Sequence, residues 1–345
     1  MSTYVKAIEQ IQKGNLQPLY LLYGTETYMI EDVIQTLTDR VLSPDEKEFN
    51  FSQYDLTETP VQAGIEDAKT ASFFGNQKVI VLKHAYFLTG QKSKESIDHD
   101  LSQLERYVEE GLSDDILIIT VESQKLDERK KIVKRLKKQA TVIEAAPLEH
   151  SAQVEWLNKL ASKWTVQFEP RALEHFLSIT APDLHIRKNE VEKCALFAGE
   201  GGVITESMVD QLVPKSLEDN VFTLIDRVSE GNTEKALVLY DELMNSGEEP
   251  IKITVLLARQ LRMMSLVLDM DHRGYSQQKM AGTIGVPPFV VGKIRNKAKG
   301  LQSTAIYRAL FDLAEVDYKM KQGLVEKDTA LKLYIATLPG TLATK

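Results

Sequence analysis

Leu19-Tyr20-Leu21-Leu22-Tyr23-Gly24-Thr25-Glu26-Thr27-Tyr28-Met29-Ile30-Glu31 is the stretch on which the fold turns. Its first five residues, all apolar or aromatic and ended by Gly24, predict a short buried strand. Ile30, Val33, Ile34, Leu37 and Val41 then recur at helical spacing and predict a helix over residues 28–42. Strand, glycine turn and helix form the front end of a nucleotide-binding α/β domain. A phosphate-binding loop at this junction needs a glycine, four residues, then Gly-Lys-Ser/Thr, whose amides and ammonium cradle the phosphates. Counted from Gly24, those last three places hold Met29, Ile30 and Glu31, so a carboxylate stands where a hydroxyl would meet magnesium. The other element of such a site is a strand ending in a metal-holding acid. Here Val79-Ile80-Val81-Leu82 runs instead into Lys83-His84. Gly24, Met29, Ile30, Glu31, Lys83 and His84 therefore mark a degenerate nucleotide site, and no cofactor is expected.

Further strands are predicted at Phe49–Tyr54, Val79–Leu82, Ile116–Val121 and Thr141–Glu144, alternating with helices over 60–71, 100–111 and 128–139. This alternation, with nearly continuous apolar strands, predicts a parallel sheet covered by helices on both faces. From Leu148 onward the periodicity is helical and no strand is predicted. Gly199-Glu200-Gly201-Gly202 punctuates this part and Pro214 closes a first helical block. Three domains are expected: an α/β domain over 1–145, a small helical domain over 146–215 and a larger helical domain over 216–345.

The 345 residues are 43% hydrophobic and 27% charged, ordinary for a globular protein. A single cysteine, Cys194, excludes an intramolecular disulfide and fits a reducing cytosol. No apolar run approaches the ~18 residues of a membrane span, and Met1-Ser2-Thr3-Tyr4-Val5-Lys6 has no signal-peptide core. A cytoplasmic protein is expected. Net charge is −8, but residues 251–345 carry 15 Lys and Arg against 7 Asp and Glu. No two histidines share an i, i+4 metal spacing, and no nucleophile, acid–base or metal constellation emerges, so the chain itself is expected to be non-catalytic. The acidic turn Ser113-Asp114-Asp115 reads as solvated surface.

Several stretches carry a resemblance. Ala71-Ser72-Phe73-Phe74-Gly75-Asn76-Gln77-Lys78-Val79-Ile80-Val81-Leu82 looks like the segment by which the delta subunit of the bacterial replicative clamp loader grips the sliding clamp. Leu19 to Glu26 is similar to that family's first strand and turn. Lys125-Leu126-Asp127-Glu128-Arg129-Lys130-Lys131, ahead of Val142-Ile143-Glu144, resembles the end of its first domain. Asn189-Glu190-Val191-Glu192-Lys193 resembles the second domain's signature, with Arg187 and Cys194 replacing common leucines. Glu248-Glu249-Pro250, followed by Leu256-Leu257-Ala258-Arg259-Gln260, fits the third domain.

The resemblance implies an AAA+-like fold without a working nucleotide site, inside a pentameric loader of DNA polymerase III. The implied partners are the beta sliding clamp, the ATP-binding tau/gamma subunits, the delta-prime subunit and primed DNA within the complex. The isolated chain would be monomeric, with a place in the nucleoid-associated replisome. The first domain would bind the clamp through Ser72, Phe73 and Phe74 and hold its ring open, and the third would join a helical collar. Phe73-Phe74 stands where the family commonly has Leu-Phe. An exposed aromatic pair in a loop is the kind of anchor that fills a partner's pocket.

A competing reading rests on residues 276–299. Ser276 to Ile294 has helix-turn-helix spacing: Met280, Ala281 and Ile284 would pack a first helix, Gly285 would turn, and Val290 and Ile294 would pack a second. Lys293, Arg295, Lys297 and Lys299 would contact DNA phosphates. Pro287-Pro288-Phe289 leaves few polar side chains to read base edges, and the delta family carries Ala281-x-x-Ile284-Gly285-Val286-x-Pro288-Phe289-x-x-x-Lys293 as part of its collar. A DNA-binding regulator is the alternative function. The run Arg129 to Lys138 is read as a helix whose charges complement its dipole.

Overall fold

A computed structural model describes residues 3–72, 77–90, 97–110, 114–286, 288–298 and 301–343. The chain forms two compact units, residues 1–159 and 160–345.

The first unit runs α1 (Thr3–Gln12), β1 (Leu19–Gly24), α2 (Thr27–Val41), α3 (Pro44–Asn50), β2 (Phe51–Asp55), α4 (Val61–Lys69) and β3 (Val79–Lys83). It continues through α5 (Leu101–Glu110), β4 (Ile116–Val121), α6 (Lys131–Gln139), β5 (Thr141–Ala145) and most of α7 (His150–Lys163). The five strands form one sheet in the order β2-β3-β4-β1-β5, with every pairing parallel. β1 lies between β4 and β5, with Leu19 opposite Leu117 and Tyr20 opposite Thr141. Leu19, Tyr20, Leu21 and Leu22 are all buried, because a strand covered on both faces needs apolar residues in both directions. On one face Leu19, Leu21, Ile80, Leu82, Leu117 and Ile119 pack against Ile65 of α4, Leu104 of α5 and Val133 and Leu136 of α6. On the other, α2 lies along β1, β3 and β5, and α1 along β5. The Tyr28 ring of α2 meets Trp156 of α7 edge-on at 5.5 Å, and Tyr4 Oη donates to Asp32 Oδ2 at 2.7 Å.

All five predicted strands form. β2 starts later than expected because Phe49 and Asn50 complete α3. That helix and α1 lie outside the predicted helices, although α3 opens with a capping box of Ser43 and Glu46 and has Pro44 in its first turn.

The second unit continues with β6 (Gln167–Phe168), α8 (Pro170–Ile179), α9 (Leu184–Ala198), β7 (Val203–Ile204) and α10 (Glu206–Leu212). β6 and β7 pair in parallel, correcting the expectation of no strand beyond Leu148; two residues are too few to leave an alternation in the sequence. Buried Arg187 donates from Nε to Thr180 Oγ1 at 3.2 Å and from Nη2 to Leu177 O at 3.4 Å. It thus places a cation at the C-terminal end of α8, where the helix dipole favours one.

Among the described residues seven helices follow: α11 (Leu217–Ser229), α12 (Thr233–Asn245), α13 (Pro250–His272), α14 (Gln277–Ile284), α15 (Pro288–Ala298), α16 (Ser303–Lys321) and α17 (Lys327–Ala343). Tyr240, Leu257, Leu261, Ile306, Leu313, Leu331 and Ile335 are among the buried side chains of their shared core.

Candidate functional site

In a parallel sheet all strand C-termini reach the same edge, and ligands bind outside it where the strand order switches. At this edge the β1–α2 connection is only Thr25 and Glu26, because α2 begins at Thr27. Gly24 has φ +147°, and a Cβ built on it would stand 2.0 Å from Ala145 O, so this glycine serves the approach of β1 to β5. Glu26, an acid, occupies the N-cap of α2 and donates its backbone N–H to Ala145 O at 3.0 Å. Met29 and Ile30 lie in the first turns of α2, 1% and 6% exposed, and belong to the core. Glu31 faces solvent. The backbone here is helix where a phosphate-binding loop would be, and Glu26 holds its N-cap position without a side-chain cap hydrogen bond, adding a negative charge that disfavours an anion there.

At the same edge β3 ends at Lys83, and His84 follows at φ +59°, a left-handed conformation uncommon for a side-chain-bearing residue. Its ring lies between two acids, with Nδ1 2.9 Å from Asp55 Oδ1 and Nε2 3.6 Å from Glu122 Oε1, and stacks on Tyr86 at 5.9 Å. Partial burial raises the Asp55 pKa, but hydrogen bonds from Thr57 and His84 outweigh it and bring the carboxyl down to about 2. Among the described residues no group of three His, Cys, Asp or Glu side chains is arranged to hold a metal ion.

The described flanks of the Ala71–Leu82 segment, residues 71–72 and 77–78, lie at the opposite edge, where β3 begins. A five-residue strand separates the two edges by about 16 Å. Phe73 and Phe74 lie outside the described residues, as do Gly75 and Asn76; the stems on either side are described. On the incoming stem, Ser72 Oγ donates to Asn50 Oδ1 at 3.0 Å. On the outgoing stem, Gln77 Nε2 donates to Asp114 O at 2.6 Å and Lys78 N to Asp115 Oδ1 at 2.8 Å. Asp114 and Asp115, read in the sequence as idle surface, therefore anchor this stem.

Lys78 is 5% exposed. Its ammonium donates to Asp67 Oδ1 at 2.7 Å, to Thr70 Oγ1 at 3.0 Å and to the Asp67 carbonyl. Ser52 Oγ and Tyr54 Oη donate to Asp67 Oδ2. Burial raises the Asp67 pKa, but the hydrogen bonds from Lys78, Ser52 and Tyr54 prevail and hold it below the ordinary value. Phe49, at the end of α3 and next to Asn50, is 56% exposed, the one exposed large hydrophobic among the described residues of the first unit. The sequence hid it because a strand starting at Phe49 reads as core.

Two of the cations expected to contact DNA make ion pairs within the second unit. Arg295 pairs with Asp271 at 2.7 Å, and Lys297 pairs with Asp226 while lying 3.9 Å from the Phe222 ring centroid. Lys293 is among the charges acting on Asp219, whose pKa burial raises. Lys299 lies outside the described residues. α14 and α15 do form a helix-turn-helix, with Gly285 left-handed at φ +78°. Met280, Ala281, Val291 and Ile294 are buried in the shared core, and Ile284 and Val290 pack against it part-buried; Val291 is the more deeply buried valine. The regulator reading is not supported, since this pair is a built-in part of the helical domain. In the first unit, Arg135 and Lys131 pair with Glu105 at 2.6 and 3.2 Å.

A five-stranded parallel sheet without a phosphate-binding loop, followed by a mostly helical unit, defines the class of fold. Residues 20–146 match the family model described as DNA polymerase III, delta subunit, and residues 218–338 the one described as DNA polymerase III delta subunit, C-terminal domain. DNA polymerase III subunit delta of Bacillus subtilis (strain 168) is 33% identical over 330 residues, covering 96% of this chain and 95% of its own. The probable DNA polymerase III subunit delta of Aquifex aeolicus (strain VF5) is 22% identical over 309 residues, with 87% and 85% covered. The solved structure of the Bacillus subtilis DNA clamp loader delta protein matches with a TM-score of 0.68 at 32% identity, over 98% of this chain and 99% of that one. The chain belongs to the DNA polymerase III delta-subunit family, the delta subunits of the clamp loader. It therefore works in a complex with other clamp-loader subunits. Among the described residues, no helix is long and apolar enough to cross a membrane.

Proposed function

We propose that this delta subunit binds the beta sliding clamp through Ser72, Phe73 and Phe74 and holds one interface of the ring open for loading onto primed DNA. The observation that carries this reading is the placement of the two described stems, residues 71–72 after α4 and residues 77–78 before β3. Both are tied to the domain body at the sheet edge away from the β1–α2 turn. The work is done by differential binding: contacts made better with the open ring than with the closed one shift the clamp toward opening. Phe49, exposed next to the Asn50 that holds the Ser72 stem, would add an apolar side chain to the clamp contact. With helix and a carboxylate where phosphates would sit, this subunit contributes no nucleotide chemistry, and ATP acts through the tau/gamma subunits beside it. Delta-prime completes the complex, and the third domain supplies its share of a collar.

A fluorescence pair across one clamp interface tests the reading. Adding the full chain is expected to separate the pair, and the Phe73→Ala/Phe74→Ala variant is expected to leave it closed. Equal separation by both would reject the assignment.

A further inference from the structure

We infer that buried Lys78 and part-buried Asp67 form a staple that positions the clamp-contacting segment; the inference rests on the clamp reading above. Three donors on one ammonium meet three acceptors, and all three belong to the end of α4 and the turn after it: Asp67 O, Asp67 Oδ1 and Thr70 Oγ1. Lys78 is itself the last residue before β3, and its backbone N–H is held by Asp115 from the neighbouring strand's entry. One side chain thereby ties the start of the excursion at Thr70 to its end at Lys78. Ser72–Asn50 and Gln77–Asp114 add a tie on each stem.

The network is unusual chemistry for mere stability. A buried ion pair stabilises little more than well-packed apolar residues of similar volume, because desolvation consumes most of its attraction. Its directional hydrogen bonds, by contrast, fix where two chain segments stand relative to each other. Asp67 is saturated from the far side by Ser52 and Tyr54 of β2, so the staple is referenced to the sheet and not to a mobile surface. A binding segment whose stems are preset loses less freedom on association, which raises affinity without any added contact. Lys78 is a positioning residue in this scheme.

The test is the full chain carrying Lys78→Met, titrated against the sliding clamp and checked for folding by circular dichroism and melting. The variant is expected to fold and assemble with the other loader subunits, and to bind the clamp about tenfold or more weakly. In a double-mutant cycle with Phe73→Ala, the two losses are expected to combine to less than their sum, because an ill-placed ring has less contact to lose. A folded Lys78→Met chain that binds the clamp like wild type overturns the staple, as do strictly additive losses. If Lys78→Met fails to fold, Thr70→Val, which removes one acceptor, is expected to weaken clamp binding about threefold with the melt intact; unchanged binding there overturns the staple equally. Phe73→Ala/Phe74→Ala binding like wild type would instead remove the clamp reading, so the two failures are told apart.

Discussion

Gly24 lies so close to Ala145 that a Cβ on the glycine would stand 2.0 Å from the alanine carbonyl oxygen. The residue that looks like the start of a phosphate-binding loop is therefore held in place by sheet packing. Gly24→Ala is expected to force β1 and β5 apart and to cost about 3 kcal/mol or more in urea unfolding, through overpacking and a backbone angle that alanine rarely adopts. Stability within 0.5 kcal/mol of wild type would contradict this, at roughly the size of an ordinary surface substitution.

Restoring the missing triplet is expected not to restore the site. Met29→Gly, Ile30→Lys and Glu31→Ser together write the required residues into the first turns of α2, where Met29 and Ile30 belong to the core. Calorimetry is expected to find no Mg·ATP binding. Unfolding is expected to show a loss of several kcal/mol, about 2–5 for the methionine alone. Tight nucleotide uptake by the triple variant would show that composition, and not the two-residue connection, was the obstacle.

Asp55 gives the stability curve an acid limb. Its folded pKa of about 2 lies below the ordinary 3.8, so its contribution is present above 3.8 and is lost as pH falls through about 2. Asp55→Asn is expected to flatten melting temperature against pH between those values. A curve as steep as wild type would show that other carboxylates carry the limb.

Cys194 is expected to be inert in the folded chain. Burial, with Glu190 next in importance, pushes its thiol up to about 11, so almost no thiolate is present at neutral pH. A thiol-reactive dye is expected to label it only after denaturation; fast labelling of the native chain would contradict its place in the core.

The sheet was legible because both faces of β1, β3 and β4 are covered, leaving apolar runs that no surface strand would carry. α3 had a readable cap but too few apolar positions to announce a helix, and Phe49 was assigned to a strand in consequence. The degenerate site was legible from the missing glycine and lysine. The shortness of the β1–α2 turn was legible too, since the helical spacing from Ile30 to Val41 predicts a helix over 28–42, one residue from its observed start at Thr27. The stem network was least legible of all. Asp67, Lys78 and Asp115 look like ordinary surface charge until strand order brings the ends of α4, β3 and β4 together.

The most direct measurement is a calorimetric titration of the sliding clamp into the full chain and into Phe73→Ala/Phe74→Ala. Wild type is expected to bind, and the variant to lose about 4 kcal/mol of binding free energy, near a thousandfold in Kd, with an unchanged melt. Equal affinity for the two proteins would contradict the account.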